Sequence, residues 1–163
     1  MRQIRKAYMW LLVRIVLLAA MIWIIFFQVL LFVQAPDNGM FPSVKAGDLL
    51  IGFRMERNYV KNDVVLYEKE GKIRTGRVLA KEEDVVQIDE SGTLTVNGTI
   101  QTGEILFPTY PGDDQTYPLR VPEGSLYVLG DHRTETIDSR ELGCISLSEV
   151  RAKVITVFRR RNL

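Results

Sequence analysis

The chain has 163 residues, 47% of them hydrophobic, with 21 basic residues against 20 acidic, a length that admits one membrane anchor and one domain of ordinary size. Arg2, Arg5, Lys6 and Arg14 are the only charges before Asp37, which leaves 17 basic residues against 20 acidic ones in the remainder. That mildly acidic remainder argues against a nucleic acid partner, and one cysteine with one histidine rules out an internal disulfide and a Cys/His metal signature.

Residues 1–35 read as a cytoplasmic N-terminus and a transmembrane anchor. No charged side chain lies between Ile15 and Ala35, and a helix of about 20 residues spans a hydrocarbon core of about 30 Å. The basic residues before that run place the N-terminus in the cytoplasm and the rest outside a cell membrane crossed once. Val33-Gln34-Ala35 has the look of a signal-peptide cleavage site. The apolar run is longer than the usual signal core, however, and Pro36 would follow the scissile bond, where it lacks an N–H and fixes φ. An uncleaved anchor is the expectation.

Residues 36–163 read as one extracellular β domain. Val64–Tyr67 is a compact apolar run, and Glu70-Gly71-Lys72 turns the chain into Ile73-Arg74 and Val78–Ala80. Val85–Ile88 and Thr93–Val96 flank Ser91-Gly92, and Asn97-Gly98 is a hairpin signal before Thr99-Ile100. Residues 103–122, rich in Pro, Gly, Asp and Thr, read as a long surface excursion. Leu126–Leu129 and Val154–Phe158 are further strands, and no long stretch beyond the anchor has helical periodicity. The expected fold class is mainly β: curled sheets or small barrels around a shared core, preceded by one transmembrane helix. Cys144 reads as a small buried apolar side chain, and Arg159-Arg160-Arg161 as a solvated basic end.

Three motifs in order carry the functional signal. Gly39-Met40-Phe41-Pro42-Ser43 is followed by Gly47-Asp48, Gly76-Arg77-Val78 precedes Asp84, and Gly130-Asp131-His132-Arg133 runs through Thr136-Ile137-Asp138-Ser139-Arg140 to Gly143. In order and spacing they resemble the motifs of type I signal peptidases, membrane-anchored serine proteases with a serine-lysine dyad. The resemblance implies a signal-peptidase-type β domain. It also implies that Asp131, Arg133, Thr136, Asp138 and Arg140 form a structural motif bracing the site, through a partly buried charge network. Asp37, Met40, Phe41 and Pro42 would be cleft or membrane-contact residues. With Leu31 and Phe32 they keep an apolar surface for lipid or for a peptide laid as an added strand, or else they serve as anchor end and core packing.

The same resemblance makes Gly39 and Gly76 degenerate dyad positions. In the family a serine hydroxyl, deprotonated by a neutral lysine, attacks the scissile carbonyl, and glycine supplies neither group. Asp37 stands where some members help to bind the oxyanion, and a carboxylate there repels developing negative charge. Removing one such catalytic group costs on the order of 10⁴ to 10⁶ in rate. No catalytic residue is therefore assigned, no metal or cofactor is expected, and serine at 39 with lysine at 76 should be accommodated by the fold. The resemblance extends to non-catalytic signal-peptidase-like proteins of Gram-positive pilus assembly. It implies a pseudoenzyme with chaperone-like binding of secreted polypeptide, with pilin subunits, sortase and membrane lipid as partners. The alternative is an active type I signal peptidase with a relocated dyad. Ser43 with Lys45, or His132 with Ser139 or Thr136, would have to supply it, and a metal at His132, Asp131 and Asp138 is a further conceivable use of the lone histidine.

Overall fold

The apolar N-terminal run divides into three pieces. In the computed structural model, which describes residues 2–102, 107–113 and 115–159, helix α1 covers Arg2–Ile24 and continues as a π-helical turn over Ile25–Val29. Strand β1, Leu30–Gln34, follows without a linker. The helical stretch Gln3–Val29 has 27 residues and is apolar enough to cross a membrane. At 1.5 Å per residue it is about 40 Å long, longer than a hydrocarbon core of about 30 Å. The last residues of the stretch read as anchor are thus part of the sheet. From Leu30 onward the backbone finds partners outside the helix, pairing from Leu30 with Phe53 to Gln34 with Leu49, and a π-helical turn marks where the ladder loosens before release.

The remaining strands are β2 (Leu49–Phe53), β3 (Val64–Lys69), β4 (Lys72–Lys81), β5 (Val85–Ile88), β6 (Leu94–Val96), β7 (Thr99–Ile100), β8 (Leu119–Arg120), β9 (Ser125–Leu129), β10 (Ile145–Ser146) and β11 (Val150–Phe158). They form a seven-stranded sheet in the order β1-β2-β11-β3-β4-β9-β10 and a four-stranded sheet in the order β7-β6-β5-β8. All pairings are antiparallel. β11 bridges β2 and β3, and its register shifts against both partners. β4 shifts against β9 between Val78 and Ala80. Such bulges bend and twist a strand, and they curl this sheet as a mainly β, signal-peptidase-like fold requires.

Both hairpins read from turn residues are present. Glu70 and Gly71 have φ of 55° and 72°, and Asn97 and Gly98 have 51° and 75°, the double left-handed conformation of the tight hairpin turn that fits the twist of its strands. Three apolar clusters fill the interior. Leu79, Val86, Val121 and Tyr127 belong to the cluster under the small sheet, Val65, Tyr67, Val78 and Val128 to the central one, and Met40, Val44, Leu50 and Ala152 to one beneath β1 and β2. The expected excursion is only partly superficial, since Thr109 is 1% and Val121 0% exposed. Residues 103–106 and 114 of it, and Arg160 and Arg161 of the basic end, lie outside the described residues. The one helix of the domain among the described residues is α2, Ser139–Leu142, capped by the Asp138 side chain.

Candidate functional site

The first motif forms a loop sewn to β1 and β2. Ala35 N–H donates to Asp48 O at 2.8 Å and Gly47 N–H to Ala35 O at 2.9 Å, while Val44 N–H closes a turn onto Met40 O at 2.8 Å. Met40, at 1% exposure, plugs the loop into the core and takes the packing alternative. Of the other residues considered for a cleft or membrane surface, Asp37 is exposed and Phe41, Pro42 and Leu31 are half-buried. Phe32 is exposed and stacks on Phe26 of the helical stretch, with ring centroids 5.7 Å apart.

Both polar main-chain groups of Gly39 are engaged. Its N–H donates to Asp37 Oδ1 at 2.8 Å, and its carbonyl accepts from His132 N–H at 3.0 Å. A Cβ added at 39 would lie 2.9 Å from Thr136 Oγ1 and 3.0 Å from Asp37 Oδ1. The third motif's loop is therefore pressed directly onto the first, and Gly130 makes that contact possible. A Cβ at 130 would stand 2.6 Å from Gly39 O and from Thr136 Oγ1, distances that no side chain tolerates.

Gly76 lies in mid-β4 opposite Val65, and it is buried. A Cβ there would come under 3.0 Å of Val128 Cγ1 and to 3.4 Å of Tyr67 Cε1 and Leu129 O. Val128 is 0% and Tyr67 1% exposed, so neither has open space to move into. The expectation that lysine at 76 fits the fold is corrected by this contact: the volume its stem would need is filled. Burial pushes the Tyr67 hydroxyl well up, and the carboxylates of Asp138 and Asp37 act on it in the same direction. The phenol is therefore held neutral beside the Gly39 loop.

Successive strand residues face opposite ways, so Arg77 turns away from that packing. Its Nε and Nη2 grip Asp131 at 2.8 and 2.6 Å, Nη1 donates to Asn62 O at 3.0 Å and Nη2 to Ser43 Oγ at 3.2 Å. The hydrogen bond to Asp131 holds the guanidinium above its ordinary value against the opposing effect of burial. This fork borders a cavity of about 340 Å³ that Lys61, Gln101 and Arg133 also line. Asp131 thus braces β4.

The remaining charges of the motif form a compact buried unit. Asp138, 1% exposed, accepts from Arg140 Nε at 2.9 Å, from Arg140 Nη2 at 3.0 Å and from Gly130 N–H at 3.0 Å. Arg140 Nη2 also donates to Arg133 O at 2.6 Å. Arg133 Nε donates to Gly130 O at 2.8 Å, and its Nη1 bonds Thr109 Oγ1. Every partner is a carboxylate, a carbonyl or a hydroxyl, which is what burying two guanidinium groups demands.

The geometry gives Ser139 and Ser43, among the relocated-dyad candidates, other partners. Ser139 is fully buried and its Oγ accepts from Val128 N–H at 2.9 Å. Ser43 Oγ faces Arg77, which stays protonated and cannot serve as a base, and Lys45 Nζ stands 5.6 Å over the Phe41 ring. His132 lies edge-on to Phe107 at 4.4 Å and to Phe41 at 6.2 Å, with Nδ1 3.5 Å from Glu135 Oε2. Asp131 and Asp138 are turned to Arg77 and Arg140, and among the described residues no cluster of His, Cys, Asp and Glu is arranged to hold a metal. Tyr67 and Val128 are site residues that sequence reasoning misses, and the pairing of Arg77 with Asp131 is a contact it does not foresee. Only the register of β3, β4 and β9 brings Tyr67 and Val128 to Gly76.

Comparison with known proteins agrees with this architecture. The family model described as signal peptidase, peptidase S26, matches residues 5–159. Probable thylakoidal processing peptidase 2 of Arabidopsis thaliana is 28% identical over 137 residues, covering 76% of this chain and 36% of that protein. Thylakoidal processing peptidase 1 of the same plant is 25% identical over 140 residues, covering 76% and 40%. The chain thus spans well under half the length of these curated relatives. Among solved structures, a signal peptidase I from Enterococcus faecalis superposes with a TM-score of 0.51 at 24% identity, over 61% of this chain and 98% of that one, a likeness of fold. With the family model matched across almost its entire length and the fold shared, this chain belongs to the signal peptidase family, peptidase S26.

Proposed function

We propose that this chain is a non-catalytic member of its family. On this reading it is a membrane-anchored protein that binds secreted polypeptide at a signal-peptidase-type cleft without cutting it, with pilin subunits presented to a sortase as its cargo. The observation that carries the reading is the closure of both dyad positions. Glycine at 76 has Val128 and Tyr67 packed where a lysine stem would run. Glycine at 39 has its N–H committed to the Asp37 carboxylate. A carbonyl oxygen gaining negative charge at that point would meet an anion instead of a donor, the reverse of what acyl transfer needs. The frame around these positions is nevertheless fully built, from the Arg77–Asp131 fork to the Asp138–Arg140 pair. Such a frame still serves a binding role, since β1 is an edge strand and an extended peptide can pair with its free side. The pilin and sortase assignment rests on the resemblance of the three motifs alone.

The test is a cleavage assay on the unaltered protein in detergent micelles, paired with photocrosslinking in membranes. Gly39 is buried and Pro36 is exposed, so the photoreactive residue belongs at 36. The expected result is no processing of a signal-peptide substrate and a crosslink to a secreted polypeptide. Release of a correctly processed product by the unaltered chain overturns the non-catalytic reading. A second variant set probes the closure: D37S/G39S/G76K should stay inactive until Val128 is also reduced to glycine.

A further inference from the structure

At the Val29 end of the helical stretch the domain carries a cavity of about 480 Å³, lined by Gln28, Arg54, Met55, Arg57 and Arg151 among others. Among the described residues that line it, none is acidic. Arg54 is tied to the helix itself. Its N–H donates to Val29 O at 2.9 Å and its Nη1 reaches Phe27 O at 3.4 Å, placing a cation at the negative end of the helix dipole. The carboxylates beside the lining residues in sequence or paired with them are already engaged, Glu149 with Lys69 Nζ at 2.9 Å. Glu56 Oε1 accepts the main-chain N–H groups of Arg57 and Asn58 at 2.9 and 2.8 Å, and Glu68 bonds Arg151 Nε at 3.0 Å on one edge of its guanidinium.

Depth decides what such a cavity meets. Counted from Lys6, the helical stretch to Val29 rises about 35 Å, so with Lys6 at one headgroup layer and the Arg14 side chain snorkelling toward it, Gln28 and Arg54 stand at the other. Met55 is 63% and Phe27 57% exposed there, so apolar side chains face the acyl boundary beside the arginines. Three arginines lining one cavity at that level, bordered by apolar surface, match a phosphodiester with acyl chains attached.

We propose that this cavity is a binding site for the phosphate of an anionic phospholipid in the leaflet at the Val29 end of the helix. The site rests on the reading of α1 as a membrane anchor and gives it chemistry: Arg54 sets the depth, and Arg57 and Arg151 close on the phosphate. Cationic residues at a membrane surface each contribute on the order of fivefold in partition toward anionic lipid, so removing two weakens the preference by roughly tenfold or more.

The experiment uses the full chain. Flotation with phosphatidylcholine vesicles first tests the anchor, and a chain that fails to float overturns both readings. Native mass spectrometry of the detergent-solubilised protein then counts retained phosphatidylglycerol against phosphatidylcholine. R57Q/R151Q should lose the excess of phosphatidylglycerol while still floating, and R120Q, at an exposed ion pair on the small sheet, should keep it. Equal retention of the two lipids by the unaltered chain, or unchanged phosphatidylglycerol retention in R57Q/R151Q, overturns the site while leaving the anchor intact. Free glycerol phosphate displacing the lipid at equal concentration also overturns it, by showing a soluble phosphate site.

Discussion

Replacing Gly76 by alanine tests the closed pocket directly. Two effects oppose each other. Alanine restricts the unfolded chain and contributes about 0.4–1 kcal/mol in its favour. Against this, its Cβ enters within 3.0 Å of Val128 Cγ1, between two side chains of 1% exposure or less, and overpacking of this kind costs about 1–3 kcal/mol. The balance is a loss of about 1–2 kcal/mol, or roughly 3–8 °C in Tm for a domain of this size. V128A alone deletes two buried methyl groups and costs about 2 kcal/mol. In G76A/V128A the new methyl enters the vacated space, so the double variant should be no less stable than V128A, a favourable coupling of about 1–3 kcal/mol. Urea unfolding of the detergent-solubilised chain, followed by near-ultraviolet circular dichroism, measures all four corners of the cycle. A G76A protein as stable as its parent, or a cycle with zero coupling, refutes the argument that the lysine position is filled.

Other outcomes follow from the same contacts. D138A strands the buried Arg140 guanidinium and the main-chain N–H groups of Gly130 and Arg140, and should cost about 3–5 kcal/mol by denaturant titration, against less than about 1 kcal/mol for the exposed-pair variant E83Q. Burial raises the Glu149 carboxyl, but the hydrogen bonds from Lys69 and the Ser146 N–H outweigh it and leave the group below its ordinary value. Its stabilising contribution is therefore complete above about pH 5 and is lost as pH falls through the glutamate range near 4.3 and below. E149Q should flatten the acid side of the stability profile, and an unchanged slope would falsify the assignment. Burial pushes the Cys144 thiol up, so iodoacetamide at pH 8 should label it slowly in the folded chain and rapidly in urea.

Much of the fold was legible because short-range chemistry dictates it. Asn97-Gly98 and Glu70-Gly71 fix their hairpins through positive φ at both residues, and β-branched runs such as Val64–Tyr67 have one comfortable conformation. β1 was hidden because Leu30–Gln34 continues an apolar run without a break, and only its pairing with β2, 23 residues away at Leu30 with Phe53 and 15 at Gln34 with Leu49, converts it from helix to strand. In the site, the two glycines and Asp37 were visible as residues. The capping of the Gly39 N–H by Asp37 is local and is the kind of contact a short polar side chain makes two residues on. The filling of position 76 is not local. It depends on β3 and β9 lying on either side of β4, and on the bulge between Val78 and Ala80 that sets which β9 residue faces Gly76.

The direct passage from the π-helical turn into β1 makes the domain a gauge of height. Five strand residues advance about 17 Å, and the chain then turns at once into the loop of Gly39, which is fastened by Asp48 and His132. No linker separates the π-helical turn from β1, so the spacing of the loop from the end of the helix is set by the length of that strand. If the chain binds secreted polypeptide as proposed, the stretch to be recognised must pass at that spacing from the helix end. Lengthening or shortening β1 by two residues, which keeps the alternation of its side chains, would move the whole station by about 7 Å and change which part of an emerging chain it inspects.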